Sequence, residues 1–149
     1  MFDDYQKSKV YAWEDTHIAP RIDTSNKSEN FLSSLCKHMW KAIGRVNPPS
    51  VYEYSAYKKK STGNRYTILF APQMMNEHIL VHELAHSLNH VEDDSSNGDS
   101  HGPNYVADYI LLLTTFYGFD VLELLYTCQT AGIHVNQSRL YNAMAELKG

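Results

Sequence analysis

The sequence predicts an α+β domain that is mostly helical, with a small antiparallel β-sheet beside one central helix. Apolar residues recur at helical spacing over most of the chain, as in Phe31, Leu32, Leu35, Cys36, Met39 and Ile43. Only two stretches, Val51 to Tyr57 and Arg65 to Phe70, are dense in β-branched and aromatic residues. A length of 149 residues with 43% hydrophobic content supports one core and is short for two, so residues 1–149 are taken as a single domain.

Each element has a local cause. Asp3 and Asp4 can cap a first helix running to about Ile18, with Tyr5, Val10 and Trp13 as its apolar positions and Pro20 as its stop. Ser28 can cap a second helix, which Gly44 ends. These two helices are expected to cover one side of the core. After Pro48-Pro49 the two β-rich stretches, joined by a polar Lys-Ser-Thr-Gly-Asn turn, predict an antiparallel hairpin. Ala71-Pro72 breaks its second strand, expected at the sheet edge. Asn76 can then cap a helix with Ile79, Leu80, Leu84, Leu88 and Val91 as apolar positions.

The run from Glu92 to Ser100 contains no apolar residue and predicts an exposed loop. Pro103 suits the first turn of the next helix, which Gly118 closes, with Val106, Ile110, Leu113 and Phe116 on its buried side. Asp120 to Ala131 and Asn136 to Leu147 complete the chain as two capped helices. No internal repeat interrupts this order.

A formal net charge of -4 gives no general attraction to nucleic acid or anionic lipid. The N-terminal Met1-Phe2-Asp3-Asp4 does not have the form of a secretory signal, and the apolar run Tyr109 to Phe116 is too short for a membrane span. A cytoplasmic location is expected. Cys36 and Cys128 lie far apart on amphipathic segments and are expected to be buried, reduced thiols rather than a disulfide or a reactive thiol.

The chemistry is concentrated in His82-Glu83-Leu84-Ala85-His86, followed after fourteen intervening residues by His101-Gly102-Pro103. Residues four apart on a helix differ by about 40° around the axis and about 6 Å along it, so His82 and His86 project from one face. Glu83 lies about 100° away, beside a bound ion rather than on it. Catalytic zinc takes three protein ligands and keeps a fourth position for water, which requires a third ligand. His101 is the leading candidate. Glu83 is the candidate general base, accepting a proton from the attacking water and returning it to the departing amine. Imidazole donors point to Zn2+, although iron, nickel and copper take similar sites.

Other residues compete for these roles. His78 and His90 extend a ladder of histidines at four-residue spacing, but His82 and His90 are about 12 Å apart along the axis, too far for one tetrahedral ion. Asn89 and Glu92 fall where the metzincin pattern places its turn glycine and third ligand, so Glu92, Asp93 or Asp94 is the alternative ligand. Tyr105 and Tyr109 are candidate donors to an oxyanion, against a plainer role as core aromatics.

At His82-Glu83-Leu84-Ala85-His86 and His101-Gly102-Pro103-Asn104-Tyr105 the chain resembles the SprT-like family, which includes the Spartan proteases. The resemblance covers about Arg65 to Phe116. It implies a zincin-like metalloprotease domain, with His82, His86 and His101 on zinc and Glu83 as base. It also implies protein or peptide substrates, including proteins attached to DNA. Many family members carry a zinc ribbon or basic tail after this domain. Here the chain ends at Gly149 without a cysteine cluster, similar to compact relatives in phage and bacterial genomes.

Lys58, Lys59, Lys60 and Arg65, near Tyr57 and Tyr66 on the expected hairpin, are the candidate nucleic-acid contact, against a simple solvated turn. The leading expectation is therefore a zinc metallopeptidase. The alternative is a zinc-stabilised, non-catalytic binding or structural component of a viral or macromolecular assembly.

Overall fold

A computed structural model describes residues 5–55, 60–92 and 100–148, with residues 91 and 92 described for their backbone only. The order is α1 (Lys7–Trp13), a π-helical turn (Glu14–Ile18), a short 3-10 turn (Ala19–Arg21), α2 (Glu29–Ala42), β1 (Ser50–Glu53), β2 (Thr62–Gly63), β3 (Thr67–Phe70), α3 (Glu77–Glu92), α4 (Pro103–Tyr117), α5 (Val121–Thr130) and α6 (Gln137–Lys148). The α+β class is observed, mostly helical as expected.

Short polar side chains set the helix starts. Ser28 Oγ accepts from the Phe31 amide, Asn76 Oδ1 from Ile79, Asp120 Oδ1 from Leu122 and Asn136 Oδ1 from Arg139. Each satisfies one of the amides that a helix N-terminus leaves without a partner. Gly44 and Gly118 follow α2 and α4 with φ of 82° and 70°, a left-handed geometry that favours glycine. The proposed Asp3 and Asp4 caps lie outside the described residues.

Two features of the N-terminal region differ from expectation. The first helix does not run evenly to Ile18: after Trp13 it widens into the π turn, closed by the Ala19 amide donating to the Glu14 carbonyl. Pro20 sits inside the following 3-10 turn rather than beyond the helix. Tyr5 is 55% exposed, and the buried neighbour is Gln6. Gln6, Val10 and Glu14 are four apart and form the buried stripe together with Trp13.

The sheet is mixed, not an antiparallel hairpin. β3 lies in the centre, pairing in parallel with β1 (Val51 opposite Ile68) and antiparallel with β2 (Gly63 opposite Ile68). The expected edge position of β3 is therefore also corrected. The tight turn that reverses the chain is Asn64 to Tyr66, where Asn64 Oδ1 accepts from the Tyr66 and Thr67 amides. That turn joins β3 to the short β2 and leaves β1 to pair along the opposite edge.

The core gathers Trp13, Leu32, Met39, Trp40, Ile68, Phe70, Leu80, Leu84, Tyr105, Tyr109 and Ile110 between α1, α2, the sheet, α3 and α4. α3 lies against both β2 and β3 on one side and α4 on the other. Cys36 and Cys128 are free, buried thiols, and burial pushes both up to about 12. No helix among the described residues is long and apolar enough to cross a membrane.

Candidate metal centre

α3 and the start of α4 bring the three predicted ligands together. The side chains of His82, His86 and His101 each offer a donor nitrogen, and these nitrogens all lie within 4.8 Å of one another. Ring centroids are 5.2 Å apart for His82 and His86, 5.4 Å for His82 and His101, and 4.7 Å for His86 and His101. Donors at 2.0–2.1 Å from one tetrahedral ion would stand about 3.3 Å apart, so adjustments of rotamer size complete the fit. Neither His78 nor His90 belongs to this cluster. The alternative ligands Asp93 and Asp94, and the side chain of Glu92, lie outside the described residues.

The local chain explains how His101 arrives. Ser100 has a φ of 53°, an uncommon left-handed conformation for a non-glycine residue, immediately before His101. Gly102 and Pro103 then open α4, with the Val106 amide donating to the Gly102 carbonyl. The buried Gln6 amide donates to the His101 carbonyl at 2.9 Å and to the His134 carbonyl at 3.1 Å. Its own oxygen accepts from the His134 amide. Gln6 thus ties α1 both to the ligand segment and to the link between α5 and α6.

Glu14 is the main residue that the sequence analysis missed. It is 3% exposed and reaches the site from the π turn. Its carboxylate accepts from His82 Nδ1, at 3.0 Å to Oε1 and 2.8 Å to Oε2, and from the Tyr109 hydroxyl at 2.7 Å. His78 Nε2 stands 4.0 Å away. Its place four residues after Val10, on an apolar stripe, is the sequence signal that could have found it. An acid there must be paired or hydrogen-bonded.

Tyr105 and Tyr109 are wholly buried, and their hydroxyls are committed to the protein. Tyr105 donates to the His82 carbonyl at 3.0 Å, and its ring stacks on His86 with centroids 4.2 Å apart. Tyr109 donates to Glu14. Both thus occupy the plainer of their two expected roles, as core aromatics: Tyr105 braces α3 from α4, and Tyr109 braces the π turn. Tyr11, 37% exposed, lies over the site instead, stacked on His82 and edge-on to His101.

The electrostatics follow from burial. Burial pushes the Glu83 carboxyl up to about 7, a value that Glu14 favours and His82 and Lys60 oppose. His86 is held well below its ordinary value by burial and then by His82 and His101, which keeps it in the neutral, ligating form. For His82, burial disfavours charge, but the Glu14 carboxylate and its hydrogen bond outweigh it and raise the pKa. Glu14 moves the other way: burial would raise it, and His82 with the Tyr109 hydroxyl brings it below the usual carboxylate value.

The site opens to a cleft of about 310 Å³ walled by Lys60 to Gly63, Tyr11, His90 and the triad. A neighbouring, more apolar hollow of about 300 Å³ continues past Glu83 towards Met74, His78 and Ile79. Strand β2 forms one wall, and the Ser87 hydroxyl pins its turn to α3 by donating to the Asn64 carbonyl at 2.6 Å. Of the proposed nucleic-acid contacts, Lys58 and Lys59 lie outside the described residues, and Lys60 is exposed at the cleft wall. Arg65 is engaged elsewhere, donating to the Asn47 carbonyl with its guanidinium over Trp40 and Tyr66.

No protein-family model, curated protein or solved structure matches this chain. The functional reading therefore rests on the site's own geometry and chemistry.

Proposed function

We propose that this protein is a zinc metallopeptidase that hydrolyses peptide bonds in protein or peptide substrates, with His82, His86 and His101 holding the ion and Glu83 as general base. The observation that carries this reading is a set of three imidazoles, two buried and His86 half-buried, with mutually close donor nitrogens, beside one buried carboxyl at an open cleft. Three neutral nitrogen donors suit zinc and leave room for a fourth, exchangeable ligand. Zinc bound there would acidify a water and polarise the substrate carbonyl.

The chain's own residues supply the rest. Glu83 takes a proton from the water as its oxygen attacks the carbonyl carbon. The C–N bond then breaks and the proton passes to the departing amine nitrogen. Burial raises the Glu83 carboxyl in the metal-free site, and a bound cation beside it would favour the ionised form that accepts the proton. Tyr11 and β2 wall the space in which the peptide would lie.

Glu83→Gln tests this directly. The variant should keep one zinc per chain by metal analysis and lose cleavage of an unfolded protein such as casein. Cleavage at the wild-type rate by metal-loaded Glu83→Gln would remove the proposal. A wild-type protein that holds zinc and cleaves nothing would favour the zinc-stabilised binding component instead.

A further inference from the structure

Glu14 is a buried anion in an unusual setting. Among the described residues its ion-pair partners are imidazoles alone, His82 and His78, with no lysine or arginine. An unneutralised carboxylate in a protein interior is costly. Its hydrogen bonds nevertheless have a definite direction. An ionised carboxylate can only accept, so His82 Nδ1 must carry the proton that it donates. In the neutral, ligating form of His82 the lone pair is then on Nε2, the other side of the ring.

We propose that Glu14 is the positioning residue of the metal centre: it fixes the His82 ring and tautomer so that Nε2 faces the ion, whose charge in turn compensates the buried carboxylate. The inference rests on the metal-site reading above and extends it to the N-terminal helix. A carboxylate behind a ligating imidazole raises its basicity and locks its orientation. The π turn contributes by presenting Glu14 inward, while Gln6, just ahead of the preceding helix, holds the His101 carbonyl. One short segment therefore orients ligands from both α3 and the start of α4.

The test compares wild type with Glu14→Gln, which keeps size and removes the charge, and Glu14→Asp, which keeps the charge and shortens the reach. Zinc Kd is measured by competition with a chromogenic chelator, cobalt-loaded protein gives its visible absorption bands, and melting of the metal-free proteins checks the fold. Glu14→Gln should bind zinc about 10–100-fold more weakly, with shifted cobalt bands. Glu14→Asp should lie between it and wild type. Either folded variant binding zinc as wild type does, with unaltered cobalt bands, overturns the role of Glu14 while leaving the metal site standing. If Glu14→Gln does not fold, Glu14→Asp alone decides. Wild-type protein that binds no zinc overturns both readings.

Discussion

Gly63 in β2 lies so close to Glu83 in α3 that a β-carbon built on it would stand 2.6 Å from the Glu83 carbonyl oxygen and 3.0 Å from its Cβ. The backbone of the cleft wall therefore rests directly on the residue proposed as general base. The closest atom is helix backbone, which cannot swing aside, so Gly63→Ala should push β2 away from α3. The expected cost is about 1–3 kcal/mol, read as a lower urea midpoint, with a fall in peptidase rate at constant zinc content. An unchanged midpoint would contradict the packing.

The raised pKa of Glu83 makes a prediction about the metal-free protein. Its folded value of about 7 lies above the ordinary 4.5. The folded state therefore binds the proton more tightly than the unfolded state. Stability from this group is fully present below about pH 4.5 and is lost as pH rises through about 7, a loss of order 3 kcal/mol. Glu83→Gln, which cannot ionise, should be the more stable protein at pH 8 and about equal to wild type at pH 4.5. Chemical denaturation of both in chelator at the two pH values checks this, and a difference independent of pH would refute it.

Tyr105→Phe separates bracing from catalysis. The hydroxyl donates to the His82 carbonyl, so its loss should cost about 1 kcal/mol of stability and leave kcat within a few-fold. A fall of about 10²–10³ in kcat would be the mark of an oxyanion donor and would overturn the bracing role.

His101→Ala should lose stoichiometric zinc, whereas His90→Ala should keep it, because among the described residues His101 shares the donor cluster with His82 and His86 and His90 does not. Metal content after gel filtration distinguishes them. Retention of one zinc per chain by folded His101→Ala would exclude His101 as the third ligand.

Asp108, 4% exposed on α4, receives a bidentate pair from Arg139 on α6 at 2.9 and 2.8 Å. Removing the cation alone leaves a buried carboxylate without its main partner. Arg139→Ala should destabilise by about 3–5 kcal/mol, measured by denaturation, with zinc stoichiometry retained in the folded fraction. A cost below about 1 kcal/mol would show the pair to be solvent-screened.

What the sequence made legible was local. Ser28, Asn76, Asp120 and Asn136 cap helices as expected because a cap is decided within three or four residues. His82, His86 and His101 meet because helical spacing sets the first two and a predicted helix start sets the third. The parallel pairing of β1 with β3 was not legible, since strand partners are chosen across the sheet while the sequence marks only strands and turns. Glu14 escaped for a similar reason. It lies 68 positions before His82, and its stripe with Gln6 and Val10 shows only when polar residues are counted as candidates for burial.

The amide clamp of Gln6 bears on which part of the molecule can be excised. A fragment beginning after Ile22 would keep every residue of the His-Glu-x-x-His helix and of His-Gly-Pro. It would nonetheless discard the amide on the His101 carbonyl, the ring over His82 and the acid behind it. It would also lay bare the side of Tyr109 that Trp13 covers. The motif-bearing stretch is thus no self-contained cassette, and a unit that keeps all of these contacts has to include Gln6, just ahead of α1.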